Sequence, residues 1–357
     1  MSSIFGTLRI ADTDRVFNAT VGQRSIYDAI QQHLAMHNAA LQAAMAVFVD
    51  GETETFKERY KLPAGGRLQA RGTQAPVAAV KRTGYWDVAY PIFDYAAAWG
   101  GDDVEMAYMT AQELANHVIT IMQQDVNTAR WELLRALFGA TARTYSDKLH
   151  GDLTIQPLAN GDSVAYPPVI GSDSETTDNH YLATGYTAAN VSDANDPYVT
   201  GIGELTEHFG IETGNSPIAF FVNTAQVAKT RGLAALVDVQ DRWINPGDST
   251  AVPTGLPAIP GQIIGRHAEG GWISRWDYIP SGYILAVHLD APKPLKMRVD
   301  PADTGIARGL ALVAEDQEFP FRTSTWRHRF GFGVSNRLNG VVLQLTDGSY
   351  STPSAYA

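Results

Sequence analysis

The chain has 357 residues, with 27 Lys and Arg against 38 Asp and Glu, and its formal net charge is −11. This acidic balance argues against a protein that binds nucleic acid mainly by neutralising phosphates. Cysteine is absent, which excludes disulfides, a thiolate nucleophile and cysteine-ligated metal centres. The hydrophobic fraction of 45% predicts a folded chain. Its length fits two or three structural units. With no run of about 18 apolar residues and no secretion signal, we expect synthesis in a cytoplasm.

The first predicted helix follows an N-terminal arm. Ser25 gives an N-cap signal, and apolar residues recur at helical spacing from Ile26 to Phe48. We expect this helix to end near Asp50 and Gly51, where glycine favours a helix stop.

Residues 52–108 are punctuated by glycine and proline, with a turn predicted at Leu62–Gly66 between strand-like arms Thr53–Lys61 and Arg67–Arg71. Within residues 52–90, seven bases stand against four acids, and large apolar residues are few. Because such an arm buries little surface in its own subunit, we expect its partner on another chain, by strand addition or by charge.

The second predicted helix spans Thr110–Phe138. Thr110 and Glu113 have capping-box spacing, a single apolar stripe follows, and Gly139 ends the helix. At ~1.5 Å per residue it is about 42 Å long, which favours a strut lying on a sheet. A coiled coil is the alternative, but the pattern has too few heptads and too few flanking charged pairs.

The remaining elements are predicted to be short. Residues 150–200 indicate short strands and loops, followed by a helix at Gly203–Phe209. Five strand-like runs follow it: Ile218–Val222, Ile263–Ile264, Tyr283–Val287, Leu310–Val313 and Val341–Leu345.

The charge is unevenly distributed along the chain. Between Lys148 and Lys229 there is no base, and ten acids carry −10 of the net −11. Residues 322–337 hold four arginines and no acid. These clusters are either solvated faces or complementary surfaces through which copies of the chain meet, since such patches steer association and fix its register.

Motifs that carry catalysis or hold metals are scarce. The nine histidines include no His-x-His or His-Glu-x-x-His spacing, and His33 and His37 lie one turn apart without a nearby third ligand. The acids Asp173, Glu175 and Asp178 lack the alternation of a calcium loop. There is no dinucleotide loop and no nucleophile elbow. We therefore expect no catalytic residue, cofactor or metal, although paired carboxylates close in space stay possible.

Three C-terminal segments, together with the order of elements, resemble the major capsid proteins of tailed double-stranded DNA bacteriophages. These segments are Gly265–Val287, Ala291–Leu295 and Arg327–Leu345. The resemblance implies the Hong Kong 97 capsid fold: an α+β architecture with an N-arm, an extended-loop (E-loop) hairpin, a peripheral domain with a long spine helix, and an axial domain.

Carried onto this chain, the resemblance implies an order of four parts. They are an N-terminal arm with a helix at 1–50, the E-loop at 51–108, the peripheral domain at 109–216 and the axial domain at 217–357, whose final strands return to the peripheral domain. The spine helix falls at 110–138, and an acidic insertion at about 150–200. The insertion is expected on the shell surface or at capsomer contacts.

The implied function is structural, not enzymatic: copies form hexamers and pentamers of an icosahedral shell around the phage genome. Expected partners are further copies, a scaffolding protein, a portal and a cement or decoration protein, with weak non-specific contact to DNA and no membrane. The expected location is the virion, after assembly in the host cytoplasm. The candidate inter-subunit contacts are Lys57, Arg59, Lys61, Lys81, Arg82, Arg327, Arg329 and Arg337.

Some members of the resembled family join a Lys of the E-loop to an Asn of a neighbour, with a Glu as catalyst. Lys57, Lys61 or Lys81 and Asn336 or Asn339 are the available participants, but nothing in the sequence singles them out. We expect non-covalent assembly.

Three other interpretations remain open. An encapsulin, a cellular nanocompartment of the same fold, is usually shorter and lacks so large an acidic insertion. A soluble β-rich hydrolase with unrecognised carboxylates predicts a monomer or small oligomer. A tail or decoration component predicts a ring or trimer and does not need the long helix.

Overall fold

The computed structural model describes residues 23–61, 85–102, 108–164, 166, 177–209, 217–238, 257–316 and 321–357. Within these residues the chain forms four α-helices and sixteen strands. The helices are α1 (Gln23–Met45), α2 (Ala111–Phe138), α3 (Pro197–Phe209) and α4 (Thr224–Arg231). No helix in this part of the chain combines the length and the apolar character needed to cross a membrane.

The strands are numbered in chain order. They are β1 (Val49–Thr53), β2 (Lys57–Lys61), β3 (Tyr85–Ala89), β4 (Phe93–Asp102), β5 (Arg143–Asp147), β6 (Gly151–Ile155), β7 (Tyr181–Ala183), β8 (Ile218–Val222), β9 (Leu236–Asp238), β10 (Gln262–His267), β11 (Trp272–Arg275), β12 (Tyr283–His288), β13 (Leu295–Arg298), β14 (Ala311–Asp316), β15 (Phe321–Val334) and β16 (Val341–Gln344).

The chain divides into two compact units built from interleaved segments. Unit 1 comprises residues 1–43, 93–130 and 300–330, and unit 2 comprises residues 44–92, 131–299 and 331–357. Each unit therefore takes residues from distant parts of the sequence.

Unit 2 is organised around a seven-stranded mixed sheet. Its strand order is β7-β16-β12-β8-β11-β10-β9. Every residue of β8 and β12 is buried, as expected for continuous apolar runs at the centre of a sheet. Helix α3 packs on this sheet through Tyr198, Ile202 and Leu205, and each such buried large apolar side chain stabilises the fold by roughly 1.5–3 kcal/mol.

Two glycines allow close packing in unit 2. A Cβ at Gly201 would lie 2.8 Å from the ring of Phe220, so glycine lets α3 approach the sheet. A Cβ at Gly331 would lie 2.3 Å from the carbonyl oxygen of Pro91. Both glycines therefore serve packing.

The other pairings of unit 2 are two hairpins, one parallel pair and one antiparallel pair between strands far apart in sequence. Strands β2 and β3 pair antiparallel, as do β5 and β6. Strand β1 runs parallel to β13, which pairs antiparallel with the last residues of β15 in the register Leu295↔Val334.

Unit 1 is built by α1, the first part of α2, and three strands. The first part of β15 pairs antiparallel with both β4 and β14. The core of this unit contains Leu34 of α1, Val118 and Ile121 of α2, and Leu310 and Trp326. A single apolar stripe on each helix is thus sufficient to bury that helix against the strands.

The prediction for α2 is confirmed. The backbone N–H of Thr110 donates to Glu113 Oε2 at 2.8 Å, and the Glu113 N–H donates to Thr110 Oγ1 at 3.3 Å, which is a capping box. The helix ends at Phe138, directly before Gly139.

The predicted end of α1 near Asp50 and Gly51 is wrong. The helix ends at Met45, and Val49 already belongs to β1, opposite Leu295. Pairing with a strand distant in sequence outweighs the helical spacing of Phe48, which is buried among aromatic rings.

The predicted helix at Gly203–Phe209 has the correct end but begins earlier, at Pro197. Asp196 Oδ1 accepts a hydrogen bond from the Tyr198 N–H at 2.9 Å, so Asp196 caps the first turn. Five predicted strand-like runs fall within or overlap β8, β10, β12, β14 and β16.

The described part of residues 150–200 contributes to the core of unit 2. Tyr181, Val191 and Tyr198 are buried there, and β6 and β7 lie in this range. That the acidic insertion lies on the shell surface or at capsomer contacts stays a prediction. The apolar residues that produce the burial are spaced among polar ones, which is why the segment resembles a loop region in sequence.

Candidate inter-subunit surface

The end of the predicted arm Thr53–Lys61 forms β2, which pairs with β3 at Tyr85–Ala89. The predicted turn at Leu62–Gly66 and the predicted arm Arg67–Arg71 lie outside the described residues. Lys57 lies opposite Ala89, Arg59 opposite Asp87, and Lys61 opposite Tyr85. Because side chains alternate along a strand, Lys57 and Arg59 project from one face of the hairpin, here called the outer face.

On the outer face, two bases share one carboxylate. The guanidinium of Arg59 donates to both oxygens of Asp87, from Nε to Oδ1 at 2.6 Å and from Nη2 to Oδ2 at 2.8 Å. Lys57 Nζ lies 3.0 Å from Asp87 Oδ2. The Arg59 guanidinium also stacks 4.3 Å from the ring centre of Tyr85.

The outer face keeps an excess of positive charge. The hydrogen bonds and charges of Arg59 and Lys57 lower the pKa of Asp87 to about 2, so this carboxylate stays ionised near neutral pH. One anion against two cations leaves a net positive face. The side chains of Lys57 and Arg59 are 46% and 56% exposed, so this charge is available to a partner.

The inner face of the hairpin is anchored on its own unit. Lys296 of β13 lies 3.0 Å from Glu58 Oε2, and Tyr90 donates to the same oxygen at 3.0 Å. Tyr60 also donates to Glu58. Burial acts to raise the pKa of Glu58, but these donors outweigh it and lower the pKa to about 2.

A pH dependence follows from the Glu58 anchor. The pKa of Glu58 falls from 4.5 to about 2 on folding, so its contribution to the free energy of unfolding is complete above pH 4.5 and is lost as the pH falls towards 2. We expect Glu58→Gln to cost about 1–3 kcal/mol at pH 7 and much less at pH 2. Denaturant unfolding of both proteins across this range measures the difference, and a constant difference down to pH 2 contradicts the anchor.

The structure describes little of the other predicted bases of this region. Lys61 is the last residue of β2, and nothing is described of its side chain. Lys81 and Arg82 lie outside the described residues.

Arg327 and Arg329 lie on β15 in unit 1, with Arg329 opposite Asp94 of β4. Their Nε atoms lie 4.0 Å and 3.9 Å from the two oxygens of Asp94, and Arg329 Nε lies 3.3 Å from Asp300 Oδ2. Asp94 is about half exposed, so these ion pairs are loose and solvated.

Arg337 does not belong among the candidate contacts. Its side chain is 1% exposed and donates to the carbonyl oxygens of Pro157 and Leu158 at 2.8 and 3.2 Å and to Asp162 Oδ2 at 2.9 Å. A guanidinium enclosed by its own chain cannot reach a neighbouring subunit. Its role is to hold the segment around Leu158 to the end of β15 and the turn that follows.

Several acids in the described part of residues 149–228 have partners inside unit 2. Asp162 pairs with Arg337, Asp193 accepts from the Ala234 N–H at 2.7 Å, and Asp196 lies 2.9 Å from His267 Nε2. Part of the acidic charge therefore caps helices and satisfies buried donors, which sequence spacing alone does not reveal.

Of the two asparagines considered for cross-linking, Asn339 is enclosed. It is fully buried, its Nδ2 donates to the carbonyl oxygens of His288 and Pro292, and its Oδ1 accepts from the His288 N–H at 2.8 Å. Asn336 is partly exposed, and its Nδ2 donates to Pro292 at 2.9 Å.

Comparisons with known proteins give a clear structural result. Neither a protein-family model nor a curated protein matches the chain. A structure of Mycobacterium phage Patience is similar over 96% of this chain and 93% of that chain, with a TM-score of 0.68 and 18% identity. The mature capsid of bacteriophage PhiM1 is similar over 83% of each chain (TM-score 0.49, 11% identity). The capsid of the native GTA particle is similar over 85% of this chain and 90% of that chain, with a TM-score of 0.48 and 14% identity.

At these identities the likeness concerns the fold. The first match extends over nearly the whole of both chains and confirms the predicted α+β phage capsid fold. The other two matches have TM-scores below 0.5, and the assignment of the fold does not depend on them.

Proposed function

We propose that this chain is the major capsid protein of a tailed double-stranded DNA phage, a structural protein whose copies form hexamers and pentamers of an icosahedral shell. The observation that carries this proposal is the full-length likeness in fold to the structure of Mycobacterium phage Patience.

In this proposal the parts of the chain keep the roles that the family resemblance implies. The N-arm is residues 1–50, the E-loop 51–108, the peripheral domain 109–216 and the axial domain 217–357. The anchored inner face and cationic outer face of the β2–β3 hairpin support the E-loop role. An arm fixed at its base can present charge to a neighbour without unfolding.

The contacts proposed between subunits are the exposed bases. In the described residues they are Lys57 and Arg59 on the outer face and Arg327 and Arg329 on β15. From the sequence we add Lys61, Lys81 and Arg82. Their partners are acids of an adjacent subunit. Complementary charge of this kind chiefly directs association and register and contributes less to affinity.

The wider assembly follows from the same role. Scaffolding protein, portal and a cement protein are its proposed partners, the virion its location and the host cytoplasm the place of assembly. The chain acts by forming repeated contacts with other copies of itself, with no enzymatic step. Contact with packaged DNA is weak and independent of sequence, because the chain carries a net −11.

Light scattering and negative-stain microscopy of the purified chain, alone and with a co-expressed scaffolding protein, test the proposal. We expect closed shells or ordered capsomers. A chain that stays monomeric in both cases contradicts it and favours the β-rich hydrolase, while a ring or trimer favours a tail or decoration component. Shells that enclose a cellular enzyme instead of DNA favour an encapsulin.

Assembly is expected to be non-covalent. Asn339 is buried with both amide atoms hydrogen-bonded, so it cannot accept attack by a lysine of a neighbour without local unfolding. We expect mature particles boiled in denaturant to run as a single band of 38.7 kDa on a gel. A ladder of covalent multimers contradicts this, and its loss in Asn336→Ala identifies the remaining candidate.

A further inference from the structure

Two imidazoles and three carboxylates converge in unit 2, at one side of α3. Asp178 and His180 lie in the segment that leads into β7, and Glu204, Glu207 and His208 lie on α3. Residues three and four apart share a helix face, so α3 presents its three side chains together. Ligand atoms of Asp178, His180 and His208 lie within 4.8 Å of one another, as do those of Asp178, Glu204 and Glu207.

Both imidazoles are directed at the same carboxylate oxygen. His208 Nε2 lies 2.8 Å from Asp178 Oδ2, and His180 Nε2 lies 2.6 Å from it. The histidine side chains are 3% and 0% exposed, and that of Asp178 is 10% exposed. The three groups are therefore held by the fold and shielded from water.

His180 has a nitrogen that the protein does not satisfy. Its Nδ1 lies 2.8 Å from the carbonyl oxygen of Gly340. A carbonyl oxygen only accepts hydrogen bonds, so Nδ1 donates to Gly340 and Nε2 is the nitrogen that faces Asp178 Oδ2. Nε2 is buried and makes no hydrogen bond of acceptable geometry despite the short distance. A cation between Nε2 and this carboxylate oxygen, either a proton or a metal ion, satisfies both atoms.

The charge around these groups also favours a cation. Three carboxylates, those of Asp178, Glu204 and Glu207, place oxygens within 4.8 Å of one another. No Lys or Arg occurs within residues 149–228, the stretch that contains all three carboxylates. A buried excess of negative charge is costly unless it is neutralised by a bound ion or by protons.

We propose that Asp178, His180 and His208 bind a divalent transition-metal ion of the Zn²⁺ type, with Glu204 or Glu207 as the fourth ligand. Imidazole nitrogen and carboxylate oxygen form the usual donor set for Zn²⁺, whereas Mg²⁺ prefers oxygen donors alone. The His180 Nδ1–H bond to Gly340 supplies the outer contact that orients a metal-bound imidazole.

The site requires only a small adjustment to hold the ion. Tetrahedral coordination with bonds of ~2.0 Å separates ligand atoms by roughly 3.3 Å. The two Nε2–Oδ2 distances are 2.6 and 2.8 Å, so the side chains need to move apart by about half an ångström. The bound ion links the segment before β7 to α3 and stabilises unit 2 by mass action.

Metal binding is measured on the full chain, stripped with a chelator and dialysed against Zn²⁺. Elemental analysis should give one tightly bound zinc per chain for the wild type and for His33→Gln, a control in which an exposed histidine of α1 is replaced. His208→Gln should bind Zn²⁺ more than tenfold more weakly, and Zn²⁺ should raise the melting temperature of the wild type and the control but not of this variant.

A second variant keeps the test decisive if His208→Gln fails to fold. Glu204→Gln together with Glu207→Gln leaves both imidazoles in place and should weaken Zn²⁺ binding several-fold. Equal zinc binding by the wild type and all the variants, or no zinc bound by the wild type, overturns the site. Equal binding of Mg²⁺ and Zn²⁺ overturns the assignment to a transition metal. The unassembled chain is sufficient for these measurements, so they are independent of shell formation.

Discussion

Reversing the charge of Lys57, Arg59 and Lys61 together should abolish shell formation. The outer face of the hairpin then changes from net positive to strongly negative and repels the acids it is proposed to meet. Like charges brought together at an interface cost several kcal/mol, and each 1.4 kcal/mol changes an association constant about tenfold. Particle yield after sedimentation should fall by at least tenfold.

The three substitutions also break the ion pairs with Asp87 inside the hairpin, so a matched control is needed. The quadruple variant Lys57→Glu, Arg59→Glu, Lys61→Glu and Asp87→Lys restores opposite charges within the hairpin while keeping the reversed sign outside. If the bases act between subunits, this variant folds with a melting temperature near that of the wild type and still fails to assemble. Normal particles from it contradict the proposed contacts.

Replacing Arg337 with methionine should produce the largest loss of stability among single substitutions of the basic residues. The change leaves Asp162 and the carbonyl oxygens of Pro157 and Leu158 without their donor. Removing one partner from a buried ion pair costs about 3–5 kcal/mol. Denaturant unfolding of the full chain measures the loss.

Arg327→Met is the matched control, because Arg327 is more exposed and its Nε lies 4.0 Å from Asp94. A loose surface pair of this kind contributes up to about 1 kcal/mol. We expect the free energy of unfolding to distinguish the two variants clearly. An Arg337→Met chain that keeps its stability but no longer forms particles returns Arg337 to the inter-subunit contacts.

The parts of the fold that could be predicted are those encoded by local patterns. The capping box of Thr110 and Glu113 and the glycine at 139 define α2 within one residue. The uninterrupted apolar run Ile218–Val222 defines β8 because a central strand is buried on both faces. An Asp-Pro pair at 196–197 marks the start of α3, a signal that the more prominent apolar residues obscured.

The parts that could not be predicted depend on residues far apart in sequence. Phe48 continues the helical spacing of α1, yet β1 begins at Val49 because Leu295 pairs with it. Arg337 resembles the surface arginines before it, but its partner Asp162 lies 175 positions away. The histidine cluster at Asp178 has no metal-ligand spacing because the fold brings its two halves together. Local spacing carries no information on such contacts.

The account depends most directly on the claim that copies of this chain form a closed shell through the β2–β3 hairpin. Image reconstruction of assembled particles by electron cryomicroscopy tests it. The account predicts hexamers and pentamers in an icosahedral lattice, with Lys57 and Arg59 of each hairpin against acids of an adjacent subunit. A lattice in which these side chains face solvent, or a chain that forms no lattice, contradicts it.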